Sequence, residues 1–191
     1  MLTFTSSSLL LFFLLLNNHC DAYDYYSYSY SYSGFQRKYF DPAVATFTKR
    51  PTIGEVWFTP QGDKMYLNGS VAGLPPRHIL GVHIHQYGGL GDMCLEAGPH
   101  FNPFQQVHGS LDGYPRHAGD LGNIQVGRNG VMVFNLVVTL DGLLEFDGFI
   151  GRALVIHART DDLGKKGDEG SLTTGNSGPR LACATIGFRA P

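Results

Sequence analysis

The feature that most limits the fold is a succession of eight short strand-like runs, with no stretch that keeps a helical period beyond a turn or two. The runs are AVATFT (43–48), GEVWFT (54–59), KMYLNGSVAG (64–73), HILGVHIHQY (78–87), GNIQV (122–126), VMVFNLVVT (131–139), ALVIHA (153–158) and LACATIGF (181–188). Turn-forming segments such as PQGD, GRNG and LDG separate several of them. Strands without a helical layer must bury their apolar faces against one another, which predicts an antiparallel Greek-key barrel or sandwich. Two connections, 88–121 and 159–180, are far longer than hairpin turns, and structureless loops of that length in a compact domain usually carry function.

The N-terminus reads differently. LLLFFLLL (9–16) is an apolar run too short to span a membrane, and NNHCDA follows it with small residues, Cys20 and Ala22, at the −3 and −1 positions of a cut after Ala22. Residues 1–22 are therefore expected to be a cleaved signal peptide, which makes the protein secreted and extracellular with no membrane span. Residues 23–40, YDYYSYSYSYSGFQRKYF, form a Tyr/Ser-rich low-complexity tail: either a spacer or a segment that associates with extracellular matrix through exposed phenols. The folded domain is expected over 41–191. Loss of Cys20 with the signal leaves Cys94 and Cys183, an even pair that can form a disulfide in a secreted chain. A net charge of −2 supplies no basic footprint for nucleic acid. NGS at Asn68–Ser70 is a glycosylation sequon.

The chemistry lies in the histidines. GVHIHQYG puts His83 and His85 two positions apart on a strand, so both imidazoles project from one face. A solvated strand face can carry such a pair by chance. The first long loop, however, spaces His100, His108, His117 and Asp120 as H-x7-H-x8-H-x2-D, and three imidazoles with one carboxylate make a closed tetrahedral set for zinc. His83, His85 and His157 supply a second, all-nitrogen set; imidazole suits copper as well as zinc, and copper(II) favours tetragonal nitrogen coordination. His19 leaves with the signal, and His78 at the head of a strand is incidental.

Taken together, His83-x-His85, GPHFNP, His108, HAGDLGN, LVIHARTDDLGK, TGNSGPRLAC and the cysteine spacing resemble the copper/zinc superoxide dismutases from about Val44 to Phe188. The resemblance implies an all-β fold, an eight-stranded antiparallel Greek-key β-barrel with two long functional loops. It implies copper on His83, His85, His100 and His157, and zinc on His100, His108, His117 and Asp120, with His100 bridging the metals. Asp161 matches the carboxylate that bonds to one ligand of each metal. Arg180 matches the arginine that docks the superoxide anion, and Arg180 with His100 would be the catalytic pair. Cys94–Cys183 matches the intrasubunit disulfide. QYGG and DGFIGR resemble the segments that make the family's homodimer contact, for which Tyr87, Ile150 and Phe188 would supply the apolar anchors.

The second long loop departs from the family pattern. Gly170 follows Glu169 where a second acid is common, and Thr173 stands where a lysine is expected. Thr174 matches the channel threonine, and Lys166 replaces a glycine. The chain is thus expected to be a secreted superoxide dismutase converting superoxide to dioxygen and hydrogen peroxide. The rival expectation is a metal-bearing structural or matrix protein on the same barrel, with the Tyr/Ser tail as its adhesive part.

Overall fold

The computed structural model describes residues 42–139 and 148–189. The expected signal peptide and Tyr/Ser tail lie outside the described residues. Eight strands follow in order: β1 (Ala43–Phe47), β2 (Ile53–Gln61), β3 (Lys64–Ala72), β4 (Ile79–His85), β5 (Asp120–Gln125), β6 (Met132–Thr139), β7 (Ala153–His157) and β8 (Arg180–Phe188). They hydrogen-bond in the order β5-β4-β7-β8-β1-β2-β3-β6, every pair antiparallel. The crossovers from β3 over to β4 and from β6 over to β7 make the Greek key. A lone bridge between Val126 and Met132, beside the Gly127 N–H to Val131 carbonyl bond (2.8 Å), brings the β5 and β6 edges together and nearly closes the barrel.

The interior follows from the pleat. Val56, Phe58, Leu67, Leu80, Val82, Ile84, Phe134, Leu154, Ile156 and Ile186 sit on inward positions and are sealed from solvent. On β6, Met132, Phe134 and Val138 are buried while Val133, Asn135 and Val137 between them are exposed, the alternation of a sheet wet on one side. β4 and β7 do not alternate. Every residue of β7, and all of β4 after Ile79, is buried. Their inward residues fill the barrel; their outward residues, His83 and His85 among them, are covered by the two long loops.

Those loops hold two short elements that the strand pattern did not predict. Asp92–Ala97 is a kinked 3-10 segment, and α1 (Glu169–Thr174) is a six-residue helix. Asp168 caps α1 by accepting from the Ser171 N–H, and Gly175 ends it in the left-handed conformation.

Candidate metal centre

The first long loop is pinned to the barrel on both sides of His100. Phe101 N–H donates to the Ile84 carbonyl (2.8 Å), Ile84 N–H to the Gly119 carbonyl (2.8 Å), and Gly119 N–H to the Phe101 carbonyl (2.9 Å). The Phe101 ring enters the core edge-on to Phe149, and the Arg152 guanidinium lies 3.6 Å from its centroid. This anchorage sets His100 opposite His85 in an isolated bridge. At the loop's start, the Cys94–Cys183 disulfide ties the 3-10 segment to β8.

His83, His85, His100 and His157 form one group of buried imidazoles whose ligand atoms lie within 4.8 Å of one another; His83, His100, His108 and Asp120 form another. Their outer hydrogen bonds decide which nitrogen is free. His85 Nδ1 donates to the Gly98 carbonyl (2.8 Å) and His157 Nδ1 to the Gly178 carbonyl (3.0 Å). A carbonyl only accepts, so each Nδ1 carries its proton and each Nε2 keeps a lone pair. Those two lone pairs face each other at 3.1 Å, a repulsive arrangement unless a cation lies between them. His83 Nε2 likewise donates to Asp161 Oδ2 (2.8 Å), leaving Nδ1 inward with no hydrogen-bond partner; His100 Nε2 is buried and equally unpartnered.

His117 is not in that second group, but it joins His100 and His108 around one oxygen of Asp120. Asp120 Oδ1 lies 3.0 Å from His100 Nδ1, 3.0 Å from His108 Nδ1 and 3.2 Å from His117 Nδ1. The carboxylate is aimed there by its other oxygen, which accepts from the Gly109 N–H (3.0 Å) and the His117 N–H (2.8 Å). Asp161 joins the groups, accepting from His83 at Oδ2 and from His108 Nε2 at Oδ1 (2.8 Å). Asn123 fixes the Asp161 backbone through two 2.8 Å bonds, from Nδ2 to its carbonyl and from its N–H to Oδ1. A Cβ on Gly175 would overlap Asp161 Oδ1 and crowd His108 Nε2, so the residue that ends α1 also makes room for this link.

Electrostatics separate the imidazoles into two kinds. Burial pushes His83, His85 and His100 down, and takes His157 to about 4, so these rings are neutral with lone pairs available at pH 7. Burial would lower His108 as well, but the Asp120 and Asp161 carboxylates outweigh it and raise His108 to about 9. Burial works against ionising the two carboxyls, yet the histidines around them hold both well below the usual range. Four neutral imidazoles beside two ionised carboxylates in a dry pocket make a cation site, and at His108 a metal would displace the proton that the carboxylates hold there. The donor sets fit two metals of the expected kinds: all-nitrogen for copper, three nitrogens and an oxygen for zinc.

Above the four-imidazole group opens a funnel of about 770 Å³, lined by His85, His100 and His157 at its base and by Arg180, Lys166 and Thr173 among its walls. The Arg180 guanidinium is half-buried and donates to the Cys94 and Gly98 carbonyls. The Gly98 carbonyl therefore holds both Arg180 and His85. Asn68 is exposed near the middle of β3 and does not line the funnel. The sequence reading missed the Gly98 and Gly178 carbonyls, which leave no side-chain signal, and it passed over Asn123, although that residue ends the quoted HAGDLGN.

Residues 52–186 match the family model described as copper/zinc superoxide dismutase. The chain is 69% identical to an extracellular superoxide dismutase [Cu-Zn] of Schistosoma mansoni over 97% of this chain and 98% of the relative. It is 44% identical to one from Haemonchus contortus over 80% and 82% of the two chains. The crystal structure of the clock protein EA4 superposes with a TM-score of 0.71 at 38% identity, covering 78% of this chain and 96% of that one.

Proposed function

The chain belongs to the copper/zinc superoxide dismutase family, and on that premise we propose a role for each residue of the centre. The protein is a secreted enzyme that converts two superoxide anions and two protons to dioxygen and hydrogen peroxide, with copper and zinc as cofactors. His83, His85, His100 and His157 hold copper; His100, His108, His117 and Asp120 hold zinc; His100 is shared. The observation that carries this assignment is the pair of buried, unpartnered nitrogens His83 Nδ1 and His100 Nε2 among lone pairs that face one another.

Copper supplies the one-electron couple, and zinc a fixed charge that stiffens the loop. The protein's own residues do the rest. Arg180 docks the anion at the funnel base, where a guanidinium stays charged and can donate several bonds. His100 Nε2 carries one of the two protons, while Asp120 keeps its other nitrogen in place. Asp161 orients one ligand of each metal; outer partners of this kind set ring direction and basicity. Superoxide consumption by metal-loaded protein, lost with a copper chelator and restored by copper, tests the reading; full activity of metal-free protein would refute it. The rival of a purely structural protein is not favoured, since a scaffold has no need of a funnel over the copper ligands.

Further assignments rest on narrower support. Cleavage after Ala22 releases a chain beginning at Tyr23, which N-terminal sequencing checks. Homodimerisation uses the face with Tyr87, 58% exposed, and the half-buried Ile150 and Phe188; Tyr87→Asp should shift a sedimenting dimer to monomer. Asn68 is exposed and takes a glycan, which deglycosylation would reveal as a mass loss absent from Asn68→Gln. The 23–40 segment associates with extracellular matrix through its tyrosines, so its deletion should release the protein from a matrix fraction.

A further inference from the structure

We propose that the barrel end formed by residues 48–52, 73–78 and 127–130 is a binding surface for a sulfated polysaccharide, held by Lys49, Arg50, Arg77 and Arg128. The inference rests on secretion for the choice of polyanion and asks nothing of the metal centre.

Three connections meet at this end, after β1, β3 and β5. Gly73 lies so close to the Pro51 carbonyl that a Cβ there would strike it. The Leu74 N–H donates to the Gly130 carbonyl (3.1 Å), and the Arg77 N–H to the Val126 carbonyl (3.1 Å). The three turns therefore make one continuous surface. They carry four of the chain's 14 lysines and arginines and no aspartate or glutamate, although the whole chain is net −2. All four residues are exposed, and none of their side chains forms a hydrogen bond or ion pair with another described residue. Arg77 stands at φ 65°, a left-handed conformation that long side chains rarely adopt, and its N–H ties it to the turn that carries Arg128.

Acids on the adjoining elements keep their charges, but each faces other partners. Glu55, the third residue of β2, is bonded by the Arg189 guanidinium. Asp161 follows Thr160, whose hydroxyl reaches the Ile79 carbonyl, yet its carboxylate is buried against His83 and His108. Asp162 lies 3.9 Å from Lys166 Nζ and accepts from Ser171 and Asn176. Asp168 and Glu169 belong to α1, which is tied to the first long loop by the His108 N–H to Leu172 carbonyl bond (2.9 Å). The three turns thus hold four cations with no acid among them, and a polyanion can span them.

The chemistry narrows the partner. A guanidinium fork pairs bidentately with phosphate, and sulfate presents the same tetrahedral oxygens. Nucleic acids and the anionic lipids of the cytoplasmic leaflet lie inside the cell. A secreted chain meets sulfated polysaccharides instead. None of the four cations lines the funnel, so a polymer on this surface leaves the copper ligands accessible.

The test uses mature, metal-loaded protein with size-fractionated heparin as the probe. Arg77→Ala/Arg128→Ala is compared with Lys64→Ala/Lys165→Ala, which removes the same charge from exposed lysines outside the three turns. In calorimetry at about 50 mM salt the arginine pair should weaken binding about tenfold, or about threefold for each exposed contact, and the lysine pair should change it less than about twofold. Lys49→Ala/Arg50→Ala, on a separate turn, should lose about as much as the arginine pair, so a folding defect at Arg77 does not decide the matter. By the counterion-release rule for linear polyanions, log affinity should fall against log salt with a slope of about −3 in wild type and about half that in either cation pair. Metal content and superoxide consumption should stay at wild-type level throughout. Absence of heparin binding by wild type, or equal losses from the arginine and lysine pairs, would overturn the inference and leave the dismutase reading intact. Equal affinity for a DNA duplex or for phosphatidylserine vesicles at matched charge would overturn the assignment to a sulfated polysaccharide.

Discussion

The two halves of the barrel are built from the same kind of strand and used in opposite ways. β2, β3 and β6 alternate buried and exposed residues, so one face holds the core and the other meets solvent. β4 and β7 are buried on both faces. A buried site can be built only on the covered half. On the open half an outward imidazole would be hydrated and free to rotate. On the covered half the loops strip water from the rings, and the Gly98 and Gly178 carbonyls fix their tautomers. Metal binding then gains neutral, oriented ligands, at the cost of two long loops that need anchors of their own.

The largest effect should come from cutting the anchor that joins the covering loop to β8. The disulfide closes a loop of 89 residues, worth about 4–5 kcal/mol on the chain-entropy model. Replacing both Cys94 and Cys183 by Ser should lower the free energy of unfolding by that order in urea titrations and loosen Arg180, one of whose two acceptors is the Cys94 carbonyl. Unchanged stability would mean that the covered half does not depend on this tie. Phe101→Ala comes next. It removes a buried ring, which typically costs about 3–5 kcal/mol, and it should also weaken metal retention because His100 precedes the ring. A loss of stability with full metal retention would separate core from site.

Asp161→Asn should leave the barrel folded and lower the affinity for both metals about 10–100-fold in a chelator competition. Loss at one metal only would break the link drawn between His83 and His108. Thr173→Lys should raise the low-salt rate about twofold and lose that gain near 1 M. On the open half, Val133→Thr should change stability by no more than about 0.5 kcal/mol and metal content not at all. A larger effect there would contradict the contrast between the halves.

This contrast also explains what could be read without coordinates. The eight strands were legible to within a few residues because alternation, or an unbroken apolar run, survives in the letters. HILGVHIHQY reads as strand whether its histidines face water or metal, and its burial on both sides became visible only with the loops in place. α1 was not legible: EGSLTT has no apolar stripe, and its caps, Asp168 and Gly175, resemble ordinary loop residues. The 3-10 segment was hidden for a related reason, since Asp92, Met93 and Cys94 adopt positive φ angles that no residue type there announces. Ligand candidates were legible as types and spacings. The nitrogen each would offer was not, because backbone carbonyls and Asp161 decide it.

We propose that the covered face holds two different metals joined by His100. Elemental analysis of the mature protein, reconstituted with copper and zinc and freed of loosely bound ions, tests it most directly. One copper and one zinc per chain are expected, with a loss of both from full occupancy in His100→Ala. Zinc alone in the wild type, or His100→Ala retaining both metals at full occupancy, would contradict it.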